Sequence, residues 1–339
     1  MPGVAETGAA APDQSHYSRR FLLSNEFGLL LLVAVFAGMF SLINPAFISR
    51  FSLFAMGRSM AIDVVIGFSM MVVIVTGGLN LSLGAIAVCA VMAAGWLIEA
   101  VGMPLPLAML GALVMGAVLG WINGILIVKS GIHSFVITLA TMSIFFGVMI
   151  FLTRAEAFRA LPPEVVAFGT AKIGGYLSPL LLVAVAIALV LGYLFRCTAL
   201  GLQILATGAS PVAAELSGIR VNRSIVACHV LSGILATVAG LMLTARTGAA
   251  IPSMAGQLGQ DWLLPAFLAP VLGGTLLSGG RVSVTGTFLG AILVTVLSSG
   301  LLLMQLGEFW IRAVLGVLLL LAVFTDKARR VWLAKRKLA

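Results

Sequence analysis

The sequence predicts an all-α, polytopic membrane protein of about ten transmembrane helices, some of them broken by glycine-rich segments. Apolar residues make up 61% of the 339 residues and charged residues 9%, whereas a soluble domain contains about 25% charged residues. The mean hydropathy is +1.18, and the 38 glycines indicate close packing between helices. This composition excludes a water-soluble fold.

Ten apolar runs are candidate membrane spans, since one bilayer crossing takes about 20 residues. They lie near positions 27–46, 54–75, 81–101, 105–128, 134–153, 177–195, 224–245, 262–278, 283–303 and 309–325. They divide the chain into a flexible leader (1–26), a transmembrane domain (27–325) and a basic tail (326–339). With both termini cytosolic, thirteen of the twenty basic residues lie inside, which agrees with the positive-inside rule.

Two predicted loops are too long and too polar to be tight turns. The outer loop, residues 154–176, alternates charged and apolar residues and contains Pro162 and Pro163. It suits either a surface segment over the external mouth or a plain solvated connector. The second, residues 196–223, is a cytosolic loop in this topology.

The cytosolic loop contains the signals of a short helix from Pro211 to Ser217. Ser210 is a good N-cap, Pro211 suits the first helical position, and Gly218 can end the helix in a left-handed conformation. The helix presents a small, mildly apolar surface that a free loop does not need. That surface comprises Val212, Ala213, Ala214 and Leu216 around the single acid Glu215.

A glycine-rich break follows the second predicted span, in the segment that runs from Thr76 to Gly84. Gly77 and Gly78 free the backbone there, and Asn80 or Ser82 can cap the following helix. Unwound backbone is tolerated at membrane depth only where protein or a wet cavity satisfies it. The break therefore suits a passage for a neutral polyol, and an ordinary tight turn at the membrane surface is the alternative.

A second break, residues 271–280, matches the first in the pattern V-x-G-G-x-x-L-S-x-G and contains Gly273 and Gly274. Many transporters are built from repeats with corresponding helix breaks near the pathway. The match predicts a weak internal repeat.

No catalytic or metal-binding constellation stands in the sequence. The three histidines are far apart, and there is no phosphate-binding G-x-x-x-x-G-K-[ST] loop, so we expect no ATPase site in this chain. The net charge of +9 does not indicate nucleic-acid binding, because six basic residues are concentrated between Lys327 and Lys337. Asp63 is the only acid well inside a predicted span, which gives little support to a proton relay.

Four further short motifs follow one another along the chain. They are Asn123-Gly124, Phe135-Val136-Ile137-Thr138-Leu139, Ala213-Ala214-Glu215-Leu216-Ser217-Gly218-Ile219 and Gly279-Gly280. Together with the two breaks they resemble the membrane permease subunits of bacterial ABC importers for monosaccharides, of the ribose, xylose and galactoside type. The resemblance covers nearly the whole chain after residue 50.

The resemblance implies a multi-pass permease domain in the bacterial plasma (inner) membrane, within a two-fold complex. Two permeases, identical or not, are expected to sit on two cytosolic ATPase subunits, and an extracytoplasmic sugar-binding protein is expected to deliver the substrate. This chain is expected to contact membrane lipid and no nucleic acid, and to bind no cofactor, because the partner ATPase uses the ATP.

The same resemblance assigns roles to residues. The short cytosolic helix becomes a coupling helix that docks into a groove of the ATPase. The residues expected at this contact are Ser210, Pro211, Ala213, Ala214, Glu215, Leu216 and Gly218. The residues expected along the substrate pathway are Thr76, Gly77, Gly78, Asn80, Ser82, Gly273 and Gly274.

The chain departs from the family pattern at two places. The family usually has Asp where Asn80 stands, and Gly-Asn where Ala209-Ser210 stands. The first change indicates either an altered substrate or pairing with a non-identical permease. The alternatives to sugar import are an ABC permease for branched-chain amino acids or nucleosides, and a stand-alone secondary transporter.

Overall fold

The computed structural model describes residues 25–337, so most of the predicted leader and the last two residues lie outside the described part. This part contains thirteen α-helices. They are α1 (Asn25–Ile43), α2 (Arg50–Ile74), α3 (Leu83–Glu99), α4 (Leu105–Ser130), α5 (Ser134–Thr153), α6 (Pro163–Thr170), α7 (Pro179–Cys197), α8 (Ala199–Ala209), α9 (Pro211–Leu216), α10 (Val221–Thr247), α11 (Leu263–Leu272), α12 (Val284–Leu303) and α13 (Glu308–Lys337).

Seven of these described helices are long and apolar enough to cross a membrane: α1, α2, α4, α5, α7, α10 and α12. The predicted all-α, polytopic fold is thereby confirmed. The last predicted span lies within α13, which continues as one helix into the basic tail as far as Lys337.

Helix α2 forms the centre of the bundle. Its residues from Val64 to Ile74 are buried, as expected for a helix that is apolar on every side. Helices α7, α10, α11 and α12 pack against it. Helix α3 packs against α4 and α10, and α10 approaches α4 closely because Gly116 and Gly120 face its backbone. The core therefore lies among α2, α3, α4 and α10, while α5 and α7 expose apolar side chains at the rim.

Two ends of the bundle can be defined from loop contacts. At the α6 end, Phe158 pairs with Ala250, and the Glu99 carboxylate at the end of α3 accepts hydrogen bonds from the backbone of Arg159 and Ala160 (3.0 and 3.1 Å). At the α9 end, Val75 at the end of α2 meets the second glycine-rich break. The short helix α6 lies at the first end, within the outer loop.

The structure shortens the predicted span 262–278. Helix α11 ends at Leu272 after ten residues, a length of about 15 Å, because a turn at Gly273 and Gly274 closes with a hydrogen bond from Thr275 N to Pro270 O (2.9 Å). About half a membrane crossing is α-helical here, and the 3₁₀ helix Gln257–Trp262 precedes α11 directly.

The loop 196–223 contains the predicted short helix and a second helix that was not predicted. Helix α9 begins at Pro211 with Ser210 Oγ accepting from Ala213 N (3.3 Å). It ends at Leu216, one residue earlier than predicted, in a Schellman turn with Gly218 at φ +80°. The additional helix, α8, is capped by Thr198, whose hydroxyl accepts from Gly201 N (3.1 Å).

Candidate functional site

The first glycine-rich break is a short stretch of extended chain between α2 and α3. Helix α5 satisfies its backbone: the Ser134 hydroxyl accepts from Leu79 N (2.8 Å), and the Thr138 hydroxyl accepts from Leu81 N (3.1 Å). His133 caps α5, with Nδ1 accepting from Phe135 N (3.2 Å).

The side chains of the break form a buried hydrogen-bonded chain. The Ser82 amide and hydroxyl donate to Asn80 Oδ1 (3.2 and 2.8 Å), and Asn80 Nδ2 donates to Ser232 Oγ (2.9 Å). The chain continues to Ser69, whose hydroxyl lies 3.0 Å from that of Ser232 and 2.9 Å from its carbonyl oxygen. At the other end Asn123 Nδ2 donates to Ser82 Oγ (2.7 Å). Polar groups from α2, α4, α10 and the N-cap of α3 thus bind one another inside an apolar core, while Asn123 Oδ1 has no hydrogen-bond partner within the described residues.

This arrangement differs from the expected helix cap. Ser82 stands at the N-cap position of α3, but its hydroxyl binds Asn80 and makes no cap hydrogen bond. Asn80 and Ser82 are both 0% exposed. Thr76, Gly77 and Gly78 are half-buried next to them. The role of these five residues in a substrate pathway stays a prediction.

The second break contacts the first one directly. Gly280 N donates to Val75 O (2.8 Å), and Gly279 lies so close to Gly77 N, Val75 O and Gly208 O that no Cβ would fit. Gly208, at the end of α8, packs against the Val75 carbonyl in the same way. Both breaks and the helix that precedes α9 therefore meet at one backbone junction. Gly273 and Gly274 lie one turn away, packed against α12 at Gly273, and their place along a pathway stays a prediction.

The surface of α9 is apolar and exposed. Val212 is 70% exposed and Leu216 is 86% exposed, and Ala213 and Glu215 are exposed beside them. Ala214 differs from the expectation because it is only 3% exposed, and α9 packs chiefly against α8. Ala214 therefore anchors the helix, and Val212 and Leu216 form its outward apolar surface.

A segment that the sequence did not single out enters the bundle from the α6 end. We call residues 251–262 the re-entrant segment. Gly259 in this segment touches the backbone of Gly84 in α3, and Gly95 of the same helix touches Phe158 at the α6 end. The eleven positions between Gly84 and Gly95 correspond to about 16 Å of helix, so Gly259 lies about halfway through a 30 Å bilayer core.

A groove runs beside the re-entrant segment. Its volume is about 680 Å³, within the range of small-molecule sites of about 300–1,000 Å³. The groove is lined by Phe146 and Ile150 of α5, Ala155 and Ala157 of the following loop, and Ile251, Pro252, Ser253 and Gln257 of the re-entrant segment.

Three charged residues in the helices, Asp63, Arg246 and Arg312, have polar partners. Asp63 accepts a hydrogen bond from the Thr295 hydroxyl of α12 (2.8 Å), and Arg246 donates to the Ser59 hydroxyl (2.9 Å). Arg312 of α13 forms ion pairs with Asp261 of the re-entrant segment (2.9 Å) and with Glu308 (2.7 Å). No cluster of three or more potential metal ligands lies within the described residues.

Sequence reasoning missed the partners of the first break and the whole re-entrant segment. Ser69, Ser134, Thr138 and Ser232 are isolated hydroxyl residues in apolar runs, which is the available signal for helix-to-helix hydrogen bonds in a membrane protein. The available signal for the re-entrant segment is a polar, glycine-containing stretch directly before an apolar run too short to span.

Comparison with known proteins assigns the chain to a family. The model of the family described as "Branched-chain amino acid transport system / permease component" matches residues 52–323. The ribose import permease protein RbsC of Bacillus subtilis is 36% identical over 89% of this chain and 91% of its own length. The D-allose transport system permease protein AlsC of Escherichia coli is 30% identical over 90% and 93%, and the fructose import permease protein FrcC of Rhizobium meliloti is 31% identical over 91% and 85%. No solved structure matches the chain. The chain belongs to the permease family of branched-chain amino acid transport systems, and its fold is that of a multi-pass membrane permease.

Proposed function

We propose that this chain is the membrane-spanning permease subunit of an ATP-binding-cassette importer that carries a monosaccharide, a pentose or a hexose-like neutral solute, into the cytoplasm. A separate subunit hydrolyses the ATP. The α9 end faces the cytosol, so both termini are cytosolic, and the α6 end faces an extracytoplasmic sugar-binding protein. A second permease copy, identical or not, completes the membrane part.

The observation that carries this proposal is the exposed apolar surface of α9. A six-residue helix with a side-chain cap and a Schellman turn is rigid, yet it leaves Val212 and Leu216 in the open. Such a surface suits insertion into an apolar groove of a partner. In this proposal, the partner that receives α9 is the cytosolic ATPase.

The junction behind α9 supports a mechanical role. Gly208 touches the Val75 carbonyl at the end of α2, and Gly279 touches both. Backbone contacts of this kind cannot slide without moving the attached helices, because packed interfaces have few alternative arrangements. A displacement of α9 by the ATPase is therefore transmitted through α8 to both helix breaks, where we place the inner gate.

The proposed substrate class is inferred from the names of the related permeases. The three relatives named above carry ribose, allose and fructose in their names, whereas the family description names branched-chain amino acids. This description makes amino-acid import the second candidate. Competing uptake of labelled D-ribose, D-allose, D-fructose and L-leucine by cells that express the whole importer distinguishes the two.

The ATPase contact can be tested with a double substitution, Val212→Arg with Leu216→Arg. Two charges on the exposed apolar face of α9 cannot be buried in an apolar groove, so we expect the ATPase to be lost when the tagged permease is purified in mild detergent. Mass spectrometry of the co-purified proteins measures this. Gln203→Arg, at an exposed position on α8, is the control that retains the ATPase. Undiminished recovery of an ATPase with the double variant contradicts the proposed contact.

A further inference from the structure

The re-entrant segment carries polar side chains from the α6 end towards the depth of Gly259, where a lipid-facing surface is apolar. Ser253 and Gln257 are exposed, and neither side chain makes a hydrogen bond within the described residues. A polar group left without a partner in hydrocarbon is costly, and irregular backbone at this depth occurs where it is buried in protein or lines a water-filled cavity. These two side chains therefore face water or a polar ligand.

The groove reaches the level of these side chains from the α6 end. Ala155 and Ala157 lie at its mouth, just after α5 ends at Thr153. Phe146 lies seven positions before that end, which is about 10 Å deeper. The groove therefore gives a solute at the α6 end access to Gln257.

The uncharged, partly polar lining of the groove favours a neutral polyol over an amino acid as its ligand. None of its lining residues is charged, so an amino acid would leave its ammonium and carboxylate groups without a counter-charge. A carboxamide donates and accepts, as does a hydroxyl, and both match the hydroxyl groups of a neutral polyol. Phe146 and Pro252 offer apolar surface for the C–H face of a sugar ring.

We propose that this groove is the sugar-binding site of the permease, with the Ser253 hydroxyl and the Gln257 carboxamide as its hydrogen-bonding groups. The inference rests on the proposed function and adds the residues that hold the substrate. Asp261 is a positioning residue, because its ion pair with Arg312 fixes the end of the re-entrant segment to α13.

The first test uses Gln257→Leu in the complete importer reconstituted in proteoliposomes, with a saturating amount of loaded binding protein. The loss of hydrogen bonds to the sugar is expected to lower the maximal rate of D-ribose, D-allose or D-fructose uptake about tenfold. Complex assembly is expected to stay at the wild-type level, which separates an effect on the site from misfolding. Gln257→Asn retains the carboxamide and is expected to recover part of the rate, and Gln203→Leu on α8 serves as the matched control.

The second test measures whether an aqueous reagent reaches the site, independently of transport. Cys197 is the exposed native cysteine, while Cys89 and Cys228 are buried, so Gln257→Cys is made in a Cys197→Ser background. A membrane-impermeant methanethiosulfonate is expected to label Gln257→Cys in the assembled complex, and a transported sugar delivered by the binding protein is expected to slow the labelling.

The outcomes separate this inference from the proposed function. A wild-type importer that takes up none of the three sugars overturns the proposed function and this site with it. Sugar uptake by the wild type with an unchanged rate for Gln257→Leu overturns the site alone. Labelling of Gln257→Cys in the isolated chain but not in the complex assigns the groove to the contact with the second permease, and labelling that sugar does not slow also rejects the site.

Discussion

The first break and the re-entrant segment both lie outside the α-helices of the bundle, and they differ in how their polar groups are bonded. In the first break, Asn80 and Ser82 are fully buried, and every hydrogen bond they make is to the protein itself. In the re-entrant segment, Ser253 and Gln257 are exposed beside a groove. The two segments touch where Gly259 packs against Gly84.

The difference indicates that the first break and the re-entrant segment have separate roles. The buried network links α2, α4 and α10 to the start of α3, because breaking one of its hydrogen bonds leaves a polar group without a partner in a low-dielectric core. An exposed polar strip keeps its hydrogen-bonding capacity for a ligand. The polar groups of the first break are thus bonded within the protein, whereas Ser253 and Gln257 are open to a ligand. The role of the first break in a substrate pathway stays a prediction.

The largest effect on stability is expected from Asn80→Leu. The Ser82 amide and hydroxyl would lose their common acceptor, Asn80 Oδ1, and two unsatisfied buried donors cost about 2–6 kcal/mol. Thermal unfolding of the detergent-solubilised protein measures the loss. Asn80→Asp keeps an acceptor for both Ser82 groups and is expected to lose less than half as much, whereas Gln257→Leu is expected to unfold like the wild type. Equal stability of Asn80→Leu and the wild type would contradict the structural role of the network.

An intermediate effect is expected from Gly84→Ala, at the contact between the two segments. An added Cβ would overlap the Gly259 backbone, and overpacking of this kind costs about 1–3 kcal/mol. Gly147→Ala in α5 is the matched control, because no atom lies within 4 Å of its Cβ position. The same unfolding assay compares the two variants. Stability of Gly84→Ala equal to that of Gly147→Ala would show that the re-entrant segment does not pack where the structure places it.

The smallest effect is expected from Asp261→Asn. Its ion pair with Arg312 is 41–49% exposed, and exposed pairs contribute about 0.2–1 kcal/mol. Arg312 keeps Glu308 as a partner, which reduces the loss further. The unfolding temperature is expected to fall slightly at low salt and to match that of the wild type at high salt. A large loss that salt does not change would mean that Asp261 has a buried partner.

Local signals predicted local structure well. Ser210, Pro211 and Gly218 define the ends of α9 because capping depends on residues within one turn of each other. The apolar runs likewise predicted where most helices lie, since a span is recognised from composition over about 20 residues.

Long-range features could not be read in the same way. Ser232 binds Asn80 across 152 residues of sequence and Ser69 across 163, a juxtaposition that only helix packing creates. The apolar run 262–278 predicted a full span, but its helix is ten residues long because the re-entrant segment fills the remaining depth. Helix α8 was missed since its eleven residues are too few for a span and lie in a predicted loop.

The most direct test of the account is sugar uptake into proteoliposomes that contain this permease, its ATPase and a sugar-loaded binding protein on the outside. The account predicts accumulation of labelled sugar only with ATP and only when all three components are present, with no uptake by the permease alone. Accumulation by the permease alone under a pH gradient, without ATP or the ATPase, would contradict it and identify the chain as a secondary transporter.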